Sequence, residues 1–197
     1  MTTETKPALI DPIRVVDGVE LPIPGTWVID PQHSSLAFEA RHARITRMRG
    51  RFRSFSGQFV IAESPEDSTV EVTIDAASID TTHEQADGHL RGEQFLDVEN
   101  HPTLTFRSNA VRFLGENRWR VEGDLTIRAV SKPITLDATF EGAVPVARGG
   151  RAKLAFNARG QFDRRDYDME MNVPMPGGGW LVGQGVRLDL DAEADLP

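Results

Sequence analysis

HSSLAFEARH, residues 33–42, alternates Leu36, Phe38 and Ala40 with Ala37, Glu39 and Arg41, and carries a histidine at each end. A period of two with one wet face is the pattern of a strand in an antiparallel sheet covered on one side. The pattern returns along the chain, in a Gly-containing run from Phe52 to Ile61 and then in Val70-Val72-Ile74-Ala76, Leu104-Phe106 and Trp119-Val121-Leu125-Ile127. It continues in Ile134-Leu136-Ala138-Phe140, Leu154-Phe156-Ala158 and Val186-Leu188-Leu190-Ala192. Turn signals separate the runs: Ser64-Pro65-Glu66-Asp67, Gly115-Glu116-Asn117, Gly149-Gly150 and Pro176-Gly177-Gly178-Gly179. The one helical candidate spans roughly Thr82 to Phe95, between the third and fourth strands.

About eight antiparallel strands with a single apolar face favour closure into a barrel, since an open sheet leaves two unpaired edges. A two-sheet sandwich is the competing all-β arrangement. An eight-stranded barrel is wide enough either to be filled by its own side chains or to hold one small ligand. Small inward residues (Ala40, Gly50, Gly57, Ala76, Gly123, Ala138, Ala158, Gly160, Ala192) are interspersed with Phe38, Phe52, Phe59, Phe106, Trp119, Phe140 and Phe156. Composition fits both outcomes.

The 197-residue chain is long enough for one domain with a sizeable core. Residues 1–25, with Pro7, Pro12, Pro22 and Pro24 and no lasting periodicity, read as an extended arm; residues 26–197 read as the barrel domain. A formal charge of −8 argues against nucleic acid and anionic lipid surfaces as partners. Without cysteine there are no disulfides, thiolate nucleophiles or thiolate-held metals. No basic stretch followed by an apolar run opens the sequence and no segment approaches a membrane span, so the expected location is the cytoplasm.

His83, Glu84, Asp87 and His89 do not have the spacing of a metal site, and the segment reads as a solvated helix with a packing histidine. Gly25-Thr26-Trp27 is similar to the lipocalin Gly-x-Trp, and reads as a tryptophan closing the barrel end. Arg47, Arg49, Arg51 and Arg53 share one face of a strand, and Asp189, Asp191, Glu193 and Asp195 share another. Both are expected on the barrel exterior, with cross-strand pairing. Parity turns His42 inward with Leu36, Phe38 and Ala40, as one polar group beside an apolar wall. His33, at the strand start, is expected to pin a turn. Neither histidine has an evident catalytic partner.

Longer stretches carry a resemblance. They are Ile29-Asp30-Pro31-Gln32-His33-Ser34 with Phe38 and Arg41-His42; Gly50-Arg51-Phe52 and Phe55-Ser56-Gly57; and Asp87-Gly88-His89-Leu90-Arg91 with Phe95-Leu96-Asp97-Val98. Pro102 to Ser108, Gly123 to Pro133 and Arg164-Arg165-Asp166-Tyr167-Asp168-Met169 complete the set. Together, in order from about residue 26 to 195, they resemble the YceI-like family of lipocalin-fold proteins. Ala129 and Asp168 stand where the family usually has glycine, and Arg128 where histidine is common; these departures bear on turn shape.

The resemblance implies an all-β, eight-stranded antiparallel up-and-down lipocalin-like barrel, with the short helical insert between strands 3 and 4. It also implies an apolar tunnel holding a long-chain isoprenoid, isoprenoid quinone, fatty amide or similar amphiphile, for transport or storage and without catalysis. The residues expected at the ligand are Phe38, His42, Phe52, Phe59, Val72, Ile74, Phe106, Trp119, Leu125, Leu136, Phe156 and Arg164. No cofactor or metal is expected besides the lipid. The resemblance allows a homodimer, and many relatives are periplasmic. The rival readings are an interaction or stress-response module with a filled core, and a hydrolase-type enzyme using His42.

Overall fold

Each alternating run becomes a strand in the computed structural model, which describes residues 11–145 and 151–197. The Gly149-Gly150 turn and the start of the N-terminal arm lie outside the described residues. In chain order the strands are β1 (Ile13–Val16), β2 (Val19–Pro22), β3 (Gly25–Ile29), β4 (Ser35–His42), β5 (Thr46–Phe52), β6 (Phe55–Ile61), β7 (Thr69–Asp75) and β8 (Ile79–Asp80). The long strands β9 (Thr103–Gly115), β10 (Arg118–Ile127), β11 (Val130–Val144), β12 (Lys153–Asp163) and β13 (Val182–Asp195) follow, and the helix α1 (Glu84–Arg91) stands between β8 and β9.

Three pairs of short strands are single staves with a break. β3 and β4 part at Asp30–Ser34, β5 and β6 at Arg53-Ser54, and β7 and β8 at the 3-10 turn Ala76–Ser78. Gly25↔Ile61 and Leu36↔Phe52 therefore belong to one hairpin. Counted this way there are eight antiparallel staves, each bonded to the next in sequence. β13 pairs with β12 on one side and with β3 and β4 on the other, which closes the ring. The arrangement is an up-and-down barrel and not a sandwich. Closure removes the exposed edges that an open meander would carry.

The first break changes the parity of the wall. Trp27 and Ile29 are buried before it, and Leu36 and Ala40 after it. The Asp30 carboxylate holds the turn, accepting from the Gln32 N–H at 2.9 Å and lying 2.8 Å from His33 Nδ1. His33 pins a turn, as its position suggests. Two inward glycines are required by neighbouring rings. A Cβ on Gly50 would stand 2.3 Å from Phe38 Cζ, and one on Gly123 would stand 2.7 Å from Phe106 Cζ and 2.4 Å from the Arg107 carbonyl. These glycines let the two phenylalanine rings lie against the wall.

One end of the barrel is covered by the described part of the arm. Within it residues 13–22, to which the sequence reading assigns no strands, are a regular extended hairpin, β1 with β2, turned by Asp17-Gly18 at φ 51° and 80°. Such a pair of left-handed residues is the two-residue turn that matches strand twist. Leu21 and Pro22 are buried, and Arg14 reaches Glu63 at 2.7 Å and the Ala62 carbonyl at 2.8 Å. Trp27, fully buried, donates to the Ile23 carbonyl and closes this end.

The other end carries α1. Buried Asp87 accepts from Thr81 N–H at 2.8 Å and Thr81 Oγ1 at 2.6 Å, while Arg91 donates to the Ala77 and Ile79 carbonyls. Asp87 thus fastens the helix to the barrel. The helix is shorter than the 82–95 span expected. Gly92 leaves it with extended φ −69° and ψ 167°, and the chain turns so that Phe95 and Leu96 face the interior. Among the described residues no helix is long and apolar enough to cross a membrane.

Candidate ligand cavity

The barrel interior is not filled. It holds a cavity of about 230 Å³, well beyond the roughly 10–15 Å³ that one water needs. An apolar cavity of that order stays dry and accepts apolar guests. The cavity runs along the barrel, from Ile61, Ser68 and Trp119 near the arm to Phe95, Arg164, Met169 and Val182 under α1.

Phe38, Phe52, Phe59, Val72, Ile74, Phe106, Trp119, Leu125, Leu136, Phe156 and Arg164 all line it. His42 does not, which corrects the expectation from parity. Its strand ends there, opposite Val182, and Ala43 and Arg44 turn away in left-handed conformation. The last residue of β4 on the wall is Ala40. Sequence reasoning missed the cap, Leu90, Phe95 and Leu96, together with Met48 and Met169. The apolar Phe95-Leu96 after Gly92 was the available signal.

Aromatic rings cluster near the arm. Phe156 meets Phe59 at 5.6 Å and Phe140 at 5.1 Å between centroids, and stands edge-on to Trp119 at 6.4 Å. Trp119 Nε1 is buried without a hydrogen-bond partner among the described residues. At the opposite end Arg164 is the single ionisable residue of the lining. It is 4% exposed and lies over the Phe95 ring, 5.9 Å from its centroid. Its Nε donates to the Gly183 carbonyl at 3.1 Å and Nη1 donates to the Met169 carbonyl. Burial pulls its pKa below the usual guanidinium range.

The charged ladders are on the outside, as expected. Glu39 lies between Arg47 and Arg49 at 3.3 and 3.2 Å, and Asp80 between Arg51 and Arg53 at 3.2 and 2.7 Å. On β13, Asp189 meets Arg159 at 3.2 Å, and Lys153 bridges Glu193 and Asp195 at 2.6 and 2.7 Å. The exposed pairs, those of Arg49 and of Arg159 with Asp189 among them, add little stability one by one, whereas Lys153, Glu193 and Asp195 are half-buried.

Asp30, His33 and Glu193 are the one group, among the described residues, whose ligand atoms are close enough for a metal. Lys153 Nζ already stands 3.4 Å from Asp30 and 2.6 Å from Glu193, so an ammonium supplies the positive charge there. The hydrogen bond with His33 holds the Asp30 carboxyl down at about 2, and the same bond raises the His33 imidazole.

The family model described as YceI-like domain matches residues 27–194, nearly the whole barrel. The chain belongs to the YceI-like family. A UPF0312 protein of Ectopseudomonas mendocina is 36% identical over 143 residues, which is 72% of this YceI-like chain and 74% of the relative. BcnA of Burkholderia cenocepacia superposes with a TM-score of 0.70 at 22% identity, covering 84% of this chain and 99% of BcnA. A polyisoprenoid binding domain from Saccharophagus degradans, implicated in plant cell wall breakdown, superposes at 0.64 with 16% identity, covering 87% and 98%. At these identities the two structures establish the shared barrel fold.

Proposed function

We propose that this YceI-like protein binds a long-chain isoprenoid or similar amphiphilic lipid in its barrel, for transport or storage and without chemical turnover. The observation that carries the reading is the cavity itself: apolar from end to end, enclosed by paired staves, with one charged group at one extremity. The polyisoprenoid binding named for the Saccharophagus degradans relative supports the same ligand class. A prenyl chain burying roughly 500 Å² gains about 12 kcal/mol at about 25 cal/mol per Å². Association costs of about 4–15 kcal/mol consume much of that gain. A long chain is therefore needed for useful affinity, and a barrel-length tunnel accommodates one. Arg164, whose guanidinium is a poor proton acceptor, is ill suited to general-base chemistry, and His42 lies off the wall.

Native mass spectrometry of protein purified from its own host tests the proposal. A co-purifying lipid, displaced by organic extraction and taken up again from a prenyl alcohol, is the expected result. A chain that arrives empty and fails to take up a prenyl alcohol would overturn it.

A further inference from the structure

Resting on that reading, we propose that Arg164 anchors a charged oxygen head group, a phosphate or carboxylate at the end of a linear apolar chain. The chain then extends from α1 toward Trp119. Three observations converge on the guanidinium. It is 4% exposed yet lines the cavity. Two of its nitrogens are committed to the carbonyls of Gly183 and Met169, while Nη2 has no partner among the described residues. Finally, no carboxylate pairs with Arg164 among the described residues. The adjacent Asp163 is taken by Arg165, at 2.6 Å from Nη2 to Oδ2.

Arginine remains charged in proteins, and Asp163, held by Arg165, acts on Arg164 only at longer range. A buried cation with no carboxylate hydrogen-bonded to it is costly, and two carbonyls offset that cost only in part. An oxyanion entering beside Nη2 would supply the missing charge and accept its N–H groups. The carbonyl contacts alone explain a staple that holds the 165–183 segment against the barrel. They do not explain a third nitrogen left unpaired at the end of an apolar tunnel. The polarity follows from topology. Arg164 follows β12 at the end where β13 begins, and Trp119, the second residue of β10, lies at the opposite end. The aromatic cluster around Phe156 then receives the tail.

Calorimetric titration with geranylgeranyl phosphate, geranylgeraniol and a fatty acid of matched length tests the assignment. Wild type should favour the phosphate, the carboxylate or both over the alcohol by roughly ten- to a hundredfold, the worth of one charged hydrogen bond. The two anions show which oxyanion is preferred. Arg164→Gln should lose that preference, its affinities for the two anions falling to its own affinity for the alcohol, and Arg165→Gln should behave as wild type. Should Arg164→Gln not fold, the Arg164 guanidinium 15N resonances in wild type decide, shifting with the anions and not with the alcohol. Equal wild-type affinity for all three ligands, a preference surviving in Arg164→Gln, or unmoved resonances would overturn the anchor and leave the carrier reading intact. Wild type binding none of the three would overturn both.

Discussion

His33 and His42 bracket β4, and their surroundings separate them completely. His33 lies 2.8 Å from Asp30 and 3.8 Å from Glu193, with Lys153 near both carboxylates. The shifts fix the direction of the pH response. Asp30 is depressed to about 2 from 3.8, so its contribution is present above its unfolded value and lost as pH falls through about 2. His33 is raised above 6.5, so its contribution is complete below that value and lost as pH rises through the folded one. His33→Gln should therefore melt below wild type near pH ~5, with the difference shrinking by pH ~9, in paired thermal denaturation curves. A difference independent of pH would remove the charge from the account. His42 contributes nothing to the cavity wall, so His42→Leu should leave the affinity for a prenyl alcohol unchanged in the same titration that reads wild type. Loss of binding would place the imidazole on the wall after all.

The β10–β11 hairpin shows how far local sequence governs an element. Ile127 pairs with Val130, and the two turn residues, Arg128 and Ala129, adopt φ 52° and 62°. Left-handed conformation costs a residue with a Cβ roughly 1–2 kcal/mol, and glycine escapes this at some entropic cost in the unfolded chain. Ala129→Gly should raise stability by about 0.5–1 kcal/mol, read as a higher denaturant midpoint at unchanged slope. Asp168, the other residue in a usual glycine position, also has positive φ, 59°, and its carbonyl accepts from Arg128 Nη1. The staves themselves were legible, because runs such as Val186-Leu188-Leu190-Ala192 keep one face apolar. Their breaks were not: alternation reads parity within a run, and a break such as Asp30–Ser34 resets it through turn geometry. His42 was misplaced for a related reason, since parity says which way a residue points but not where the wall ends. The β1–β2 hairpin was legible in principle, as Asp17-Gly18 between Val16 and Val19, and was obscured by the flanking prolines.

At the scale of the whole molecule, one closed sheet supplies both the stability of the barrel and the space for its guest, so the two properties are coupled. A ligand that binds only the folded chain adds stability by mass action, about 2.7 kcal/mol at roughly a hundredfold excess over Kd. Delipidated wild type should accordingly melt below the same protein refilled with a prenyl alcohol. The cavity can also be closed from within. Ala158 lines it, half-buried, across from Ala138 on β11 and Leu190 on β13. Ala158→Phe would place a ring in the cavity, beside the aromatic cluster of Phe156. Filling empty apolar space restores contacts that its lining lacks, whereas the same ring in a packed core would cost about 1–3 kcal/mol. The ligand-free variant should therefore melt no lower than ligand-free wild type. It should also gain nothing from a prenyl alcohol at concentrations that stabilise wild type. If the variant is stabilised as much as wild type, the lipid is binding somewhere other than this cavity. If it is destabilised without ligand by the full cost of overpacking, the space around Ala158 is too small for a guest.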